Sequence, residues 1–201
     1  MDDVLARSFG GIIAAVSLLG GCSSAGRAFE QLDERSGITI VRGAAPLVFA
    51  RTEPRYSRSA RDYVYLGPVE TNRQGVREYY LWVGIATTLD RGFLAPQSET
   101  PDTLYVEIGG EPMDLPLRPW RELVPTASSK PMYATAVAVR QELAARVTLQ
   151  QLTRIDAEPL PRVAVGLAGD AVPRPYVRWH DDGGFDDFLG EVAGSVAGSL
   201  Q

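Results

Sequence analysis

"REYYLWVGIATTLD", residues 77–90, is the stretch whose periodicity decides the fold. Tyr79, Leu81, Val83 and Ile85 alternate with Tyr80, Trp82, Gly84 and Ala86, so a strand here is apolar or aromatic on both faces. Such a strand belongs in the middle of a sheet, covered on both sides. Before it, "RDYVYLGPVE" (61–70) sets Tyr63 and Tyr65 on one face and Val64 and Leu66 on the other. Earlier still, "ITIVRG" (38–43) and "PLVFAR" (46–51) are two short strands split by the turn-prone segment from Gly43 to Pro46.

Downstream, "TLYVEIGGEPMDLPL" (103–117) is a hairpin whose Gly109 and Gly110 supply the positive-φ turn residues. "PMYATAVAVR" (131–140) is read as a further strand. "TLQQLTRIDAE" (148–158) predicts a helix: Thr148 caps it, Leu149, Leu152 and Ile155 form one apolar stripe, and Pro159 stops it. "PRVAVGLAG" (161–169) and "RPYVRWHDDGG" (174–184) form a last strand pair, and "FDDFLGEVAGSVAGSLQ" (185–201) is a packed helix. Many strands against one or two helices point to a mainly β domain. The expectation is an antiparallel β-sandwich or barrel-like domain with one or two C-terminal helices, with α+β as the alternative.

Composition narrows the chemistry. Hydrophobic residues at 45% and charged residues at 22% of 201 residues suit one globular core. A net charge of -5 argues against nucleic acid as the main partner, because phosphate binding relies on a basic face. Basic residues are lopsided, 19 Arg against the single Lys130. With Cys22 and His180 alone as soft or borderline donors, a zinc, copper or iron site within one chain lacks the three or four ligands it needs. No cofactor is expected, and only a hard cation held by carboxylates stays open.

Catalytic constellations are sparse. His180 beside Asp181 and Asp182 is the sole imidazole base, no G-x-S-x-G elbow occurs, and Ser128-Ser129-Lys130 lacks S-x-x-K spacing. Asp181, Asp182, Asp186 and Asp187 crowd into seven residues around Gly183 and Gly184, enough oxygens for Ca²⁺ but not in the D-x-[DN]-x-[DN]-G pattern. A polar turn capping the following helix is the favoured reading. Arg51, Arg55, Arg58 and Arg61 fall within 11 residues, interleaved with Tyr56 and serines, and form the best interaction candidate, for anionic headgroups or a partner's acidic face. Tyr79, Tyr80, Trp82, Tyr105, Trp120 and Trp179 are either a sugar-binding groove or cross-strand core pairs, and strand periodicity favours the core.

The N-terminal stretch carries a resemblance. "SFGGIIAAVSLLGG" (8–21) is apolar, uncharged and preceded by Arg7; at 14 residues it is short for a bilayer span but suits the apolar region of a secretory signal. Leu19, Gly20 and Gly21 directly before Cys22 resemble a bacterial lipobox, while Asp2 and Asp3 depart from the positive start of such signals. The alternatives are a packed thiol after a buried helix, or a catalytic thiol, for which no paired His motif is present. The resemblance implies that Cys22 receives lipid, that 1–21 is a signal peptide removed before it, and that the acyl chains are the anchor. Ser23, standing where Asp would signal inner-membrane retention, implies the periplasmic face of the outer membrane.

Residues 22–37 are then a lipidated Cys and tether, and 38–201 a single β-rich globular domain. The functional expectation is a non-enzymatic binding or structural lipoprotein of the cell envelope, with the membrane and an envelope protein as partners. The alternatives are an envelope glycan hydrolase using carboxylates such as Asp181 and Asp186, or a small-ligand or lipid carrier with an internal cavity.

Overall fold

The computed structural model describes residues 28–89, 100–126, 130–167, 172–179 and 184–198. In chain order its strands are β1 (Phe29–Asp33), β2 (Ile38–Arg42), β3 (Leu47–Thr52), β4 (Arg61–Arg73), β5 (Val76–Thr87), β6 (Pro101–Ile108), β7 (Glu111–Pro116), β8 (Arg118–Pro119), β9 (Val139–Val147), β10 (Arg162–Leu167) and β11 (Arg174–Arg178). Three helices interrupt them: α1 (Trp120–Leu123), α2 (Leu149–Ala157) and α3 (Asp186–Gly198).

The protein is mainly β, as the strand patterns predict, and all its strand pairs are antiparallel among the described residues. β4 and β5 pair along their whole length, from Asp62 opposite Thr87 to Arg73 opposite Val76. Gln74 and Gly75, at φ 53° and 90°, make the two-residue turn between them, and the Gly75 amide donates to Asn72 Oδ1 at 2.9 Å. Neighbours then run β7-β6-β10-β11-β3-β4-β5-β9-β8. Only Leu117 separates β7 from β8, so the two ends of that order are one nearly continuous segment and the sheet curls into a nearly closed barrel. The Leu117 amide donates to the Asp102 carbonyl at the join, at 2.7 Å.

β4 is long enough to take two strands on one edge. β3 pairs with its first half (Arg61–Leu66) and β2 with its second (Val69–Asn72), so the two short strands split at Gly43–Pro46 lie end to end on β4. The 6–7 hairpin turns at Gly109 and Gly110, both at positive φ, and β10 pairs with β11, as their sequences predict.

The alternation in β4 and β5 divides the core in two. Val64, Leu66, Leu81 and Val83 point into the barrel with Phe49, Leu104, Val106 and Leu143. One end is closed by α2, through Leu152 and Ile155, and by Phe185 with Phe188 and Val192 of α3, all buried. α2 starts in a capping box: Thr148 Oγ1 accepts from the Gln151 amide, and Gln151 Oε1 from that of Thr148. Tyr65, Val69, Tyr80, Trp82 and Ala144 point outward into a second core.

That outer core is covered by residues Trp120 to Val124 and Met132 to Val137. Trp120 meets Tyr80 edge-on at 5.9 Å and Tyr133 packs on Trp82 at 5.2 Å. Trp82 Nε1 and the Met132 amide both donate to Glu142 Oε1, at 3.1 and 3.0 Å. The Tyr133 hydroxyl accepts from the Gly43 amide (3.1 Å) and donates to the Pro68 carbonyl (2.5 Å). Gly67 makes room for this ring: a Cβ there would sit 2.3 Å from it.

Two sequence expectations are corrected. The strand read over 131–140 is mostly this covering segment; only Val139 and Arg140 belong to β9, which continues to Val147. Tyr133 and Val137 are apolar there to cover the outer core, not to alternate within a sheet. The tether read over 22–37 contains β1, whose five residues pair with Ile38–Arg42, because Ser36-Gly37, with Gly37 at φ 65°, closes a hairpin inside that stretch.

Tyr133→Phe keeps the ring but leaves the buried Gly43 N–H and Pro68 C=O unpaired, so it should cost about 1–3 kcal/mol. Gly67→Ala should cost more, since backbone and ring cannot both stay in place. Urea unfolding midpoints measure both; an unchanged midpoint for Tyr133→Phe contradicts the role given to its hydroxyl.

Candidate functional site

On the outer face, between β1 and the covering segment, lies an open groove of about 680 Å³. Phe29, Leu32 and Arg42 form one wall; Trp120, Lys130 and Met132 line the other. Phe29 and Leu32 are 52% and 58% exposed, unusual for large apolar side chains on a paired strand. Residue order explains it: β1 pairs with β2 alone, so its other edge has no neighbouring strand among the described residues. The Arg42 guanidinium sits over the Phe29 ring at 4.6 Å and the Tyr133 ring at 5.3 Å, which fixes the groove's floor. Burial pushes the Tyr133 hydroxyl far above the usual tyrosine range, so it stays protonated as a fixed donor. Glu30, Asp33 and Glu34 balance Arg35, Arg42 and Lys130 along the lining, and the groove has no net charge. It suits an extended segment held by edge-strand hydrogen bonds and apolar contacts better than a small ion.

The arginine candidates are brought together, but in two kinds of environment. Arg51 is tied to the buried Glu53 at 2.7 Å, with Arg55 at 3.9 Å from the other Glu53 oxygen. Arg61 stacks on the Trp179 ring at 4.7 Å. Arg55 and Arg58 are exposed on the 53–60 loop, which the Glu53 amide closes by donating to the Ala60 carbonyl at 2.9 Å.

The acidic candidates are only partly described. Cys22, His180, Asp181 and Asp182 lie outside the described residues. Asp186 and Asp187 are exposed in the first turn of α3, where the helix dipole favours them. Asp186 is hydrogen-bonded to Asp156 of α2, an acid the sequence pattern did not single out. Burial, then the charge and hydrogen bond of Asp186, raise the Asp156 carboxyl above its usual range, against the Phe185 amide that donates to it at 2.6 Å and the nearby Arg178. Among the described residues no group of three or more His, Cys, Asp or Glu side chains is placed to hold a metal ion.

Glu70 is a second missed acid. It shares the inward face of β4 with Val64 and Leu66, a position the alternation marks in advance. It is buried beside Arg77 (3.8 Å), its Oε2 has no hydrogen-bond partner, and burial raises its carboxyl above the ordinary range. Of the six aromatics weighed as a sugar groove, Tyr80, Trp82 and Trp120 are buried in the outer core. No family model, no curated protein and no solved structure matches this chain.

Because the folded chain holds the Asp156 proton to a higher pH than the unfolded chain, stability should fall as pH rises out of the ordinary Asp range. Asp156→Asn keeps an acceptor for the Phe185 amide and removes the charge. Its melting temperature should match wild type near pH 3.5 and exceed it at pH 7 by no more than about 4 °C, since solvent screens the pair. Melts across pH 3.5–8 decide; parallel curves contradict the assignment.

Proposed function

We propose that this chain is a lipid-anchored protein of the bacterial envelope with a non-enzymatic binding or structural role. On this reading Cys22 holds it at the periplasmic face of the outer membrane, and the groove beside β1 receives an extended segment of an envelope protein. The observation that carries the reading is the groove's place in the chain: its wall β1 begins seven residues after Cys22. From Cys22 to Ala28 the chain spans at most about 22 Å when fully extended, so a lipid at Cys22 keeps the groove near the membrane.

Two features support binding on the outer surface. The barrel interior is occupied by large side chains such as Phe49, Leu81, Leu104 and Phe188. The groove, by contrast, exposes Phe29 and Leu32 to whatever enters it.

Intact mass of the membrane-extracted protein should show loss of residues 1–21 and the added mass of acyl chains. In-cell crosslinking from position 31 should capture a protein neighbour, and Leu32→Glu, at an exposed site, should weaken that capture more than tenfold while the melting temperature holds. A chain recovered whole from cytosol with an unmodified thiol removes the anchor; crosslinks indifferent to Leu32→Glu remove the groove.

A further inference from the structure

The outer face of the barrel has a second exposed region, around β11, β3 and the 53–60 loop. β11 pairs with β3 through Val177 opposite Ala50, and β3 pairs with the first half of β4 through Ala50 opposite Tyr63. This register puts Val177, Trp179, Tyr63 and Arg61 on one outward face. Tyr63 stacks with Tyr65 at 6.1 Å and meets Trp179 edge-on at 6.0 Å, and Arg61 lies over Trp179. Val177 is 69% exposed and Trp179 38%, and beside them the 53–60 loop exposes Tyr56, Arg55 and Arg58.

Charge is distributed in a way composition hides. The chain carries -5 overall, yet residues 51–62 hold four arginines against Glu53 and Asp62. Both acids are buried, at 5% and 7% exposure, while Arg55 and Arg58 face solvent. Glu53 pairs with Arg51 and lies 3.9 Å from Arg55, so four arginines against two acids leave this stretch net positive on a protein that is acidic overall. Aromatic side chains with polar tips, an exposed aliphatic and solvent-facing arginines together match the chemistry of a membrane interface, where rings settle at headgroup depth and arginines meet anionic headgroups.

We infer that the face formed by Arg55, Arg58, Arg61, Tyr56, Val177 and Trp179 is a docking surface for an anionic bilayer. This deepens the proposed function, because the same membrane that would hold Cys22 is the surface recognised. The geometry allows both. Ala28 precedes Phe29, which pairs through Arg42 to Val69, and Arg61 lies eight residues back along β4, about 26 Å away. A tether of up to about 22 Å plus that separation lets the anchor and the face reach one plane. A tethered face binds at high effective concentration, so modest intrinsic affinity suffices.

The test uses full-length Cys22→Ser, which carries no acyl chain, and vesicles of phosphatidylethanolamine with or without phosphatidylglycerol. The apolar stretch 8–21 contributes to both vesicle types, so the readout is the difference between compositions and between variants. Expected are tighter binding to anionic vesicles, lost at high salt, and a weakening of about thirtyfold in Arg55→Ala/Arg58→Ala on those vesicles alone. Trp82 and Trp120 are buried, so quenching by brominated acyl chains reports Trp179 and should appear only with anionic vesicles.

Equal binding to both compositions, absent quenching, or an unchanged double variant overturns the proposal. If the double variant instead loses a crosslinked protein neighbour while vesicle binding stays the same, the face belongs to an acidic protein and the lipid assignment fails. An unmodified Cys22 in extracted protein overturns the anchor but leaves anionic-vesicle binding intact, so the two failures are separable.

Discussion

A ribbon that is apolar on both faces must be covered twice, and the rest of this structure follows from that requirement. β4 and β5 carry Val64, Leu66, Leu81 and Val83 inward and Tyr65, Val69, Tyr80 and Trp82 outward, nearly all of them fully buried. Burying a large apolar side chain is worth about 1.5–3 kcal/mol, so neither face can be left to water without losing much of the net stability. Curling the sheet covers the inner face. The outer face needs a separate cover, and residues 120–124 and 132–137 provide it, held by the hydroxyl of Tyr133 and the carboxylate of Glu142. The hydroxyl fills a gap in the sheet: β3 pairs with β4 up to Leu66 and β2 from Val69 onward, and between them the Pro68 carbonyl accepts from Tyr133 while the Gly43 amide donates to it.

What could be read in the sequence was what is local. The hairpin at Gly109-Gly110, the cap at Thr148 and the strict alternation of 79–86 each act within a few residues, and each appears where its residues predict it. Failures came where a distant surface decides. Tyr133 and Val137 look like strand residues because apolar residues covering a sheet have no period of their own. Residues 29–33 look like a tether because Glu30, Gln31 and Asp33 are polar, yet a polar edge strand is how a sheet margin protects itself from unwanted pairing. The closure through Leu117 joins segments that no short-range rule connects.

The candidate sites divide along the same line. That four arginines gather between 51 and 61 was legible; that Glu53 and Asp62 would be buried, with Glu53 tied to Arg51 and Arg58 left facing solvent, was not, because it depends on how the 53–60 loop closes through Glu53 and Ala60. The groove left still less trace. It is made by β1 and by a covering segment some ninety residues later, and neither half carries a motif. Asp156 and Asp186 meet because α2 and α3 plug the same end of the barrel, a pairing of two helices that spacing alone does not foretell.

A strand at 29–33, inside the stretch read as a tether, changes the physics of any anchor at Cys22. Fifteen flexible residues have a root-mean-square span of roughly 20 Å and let a domain tumble freely above headgroups. Six flexible steps, the number from Cys22 to Ala28, would have a typical span of about 13 Å by the same law, comparable to one headgroup layer. A domain held that close samples few orientations, so small surface features acquire disproportionate weight: a basic aromatic face on one side of the barrel need supply only a few kT to select one orientation over the others. In that setting β1 is both the first described strand after Cys22 and a groove wall. Its position along the chain then governs what the groove can meet as strongly as its side chains do.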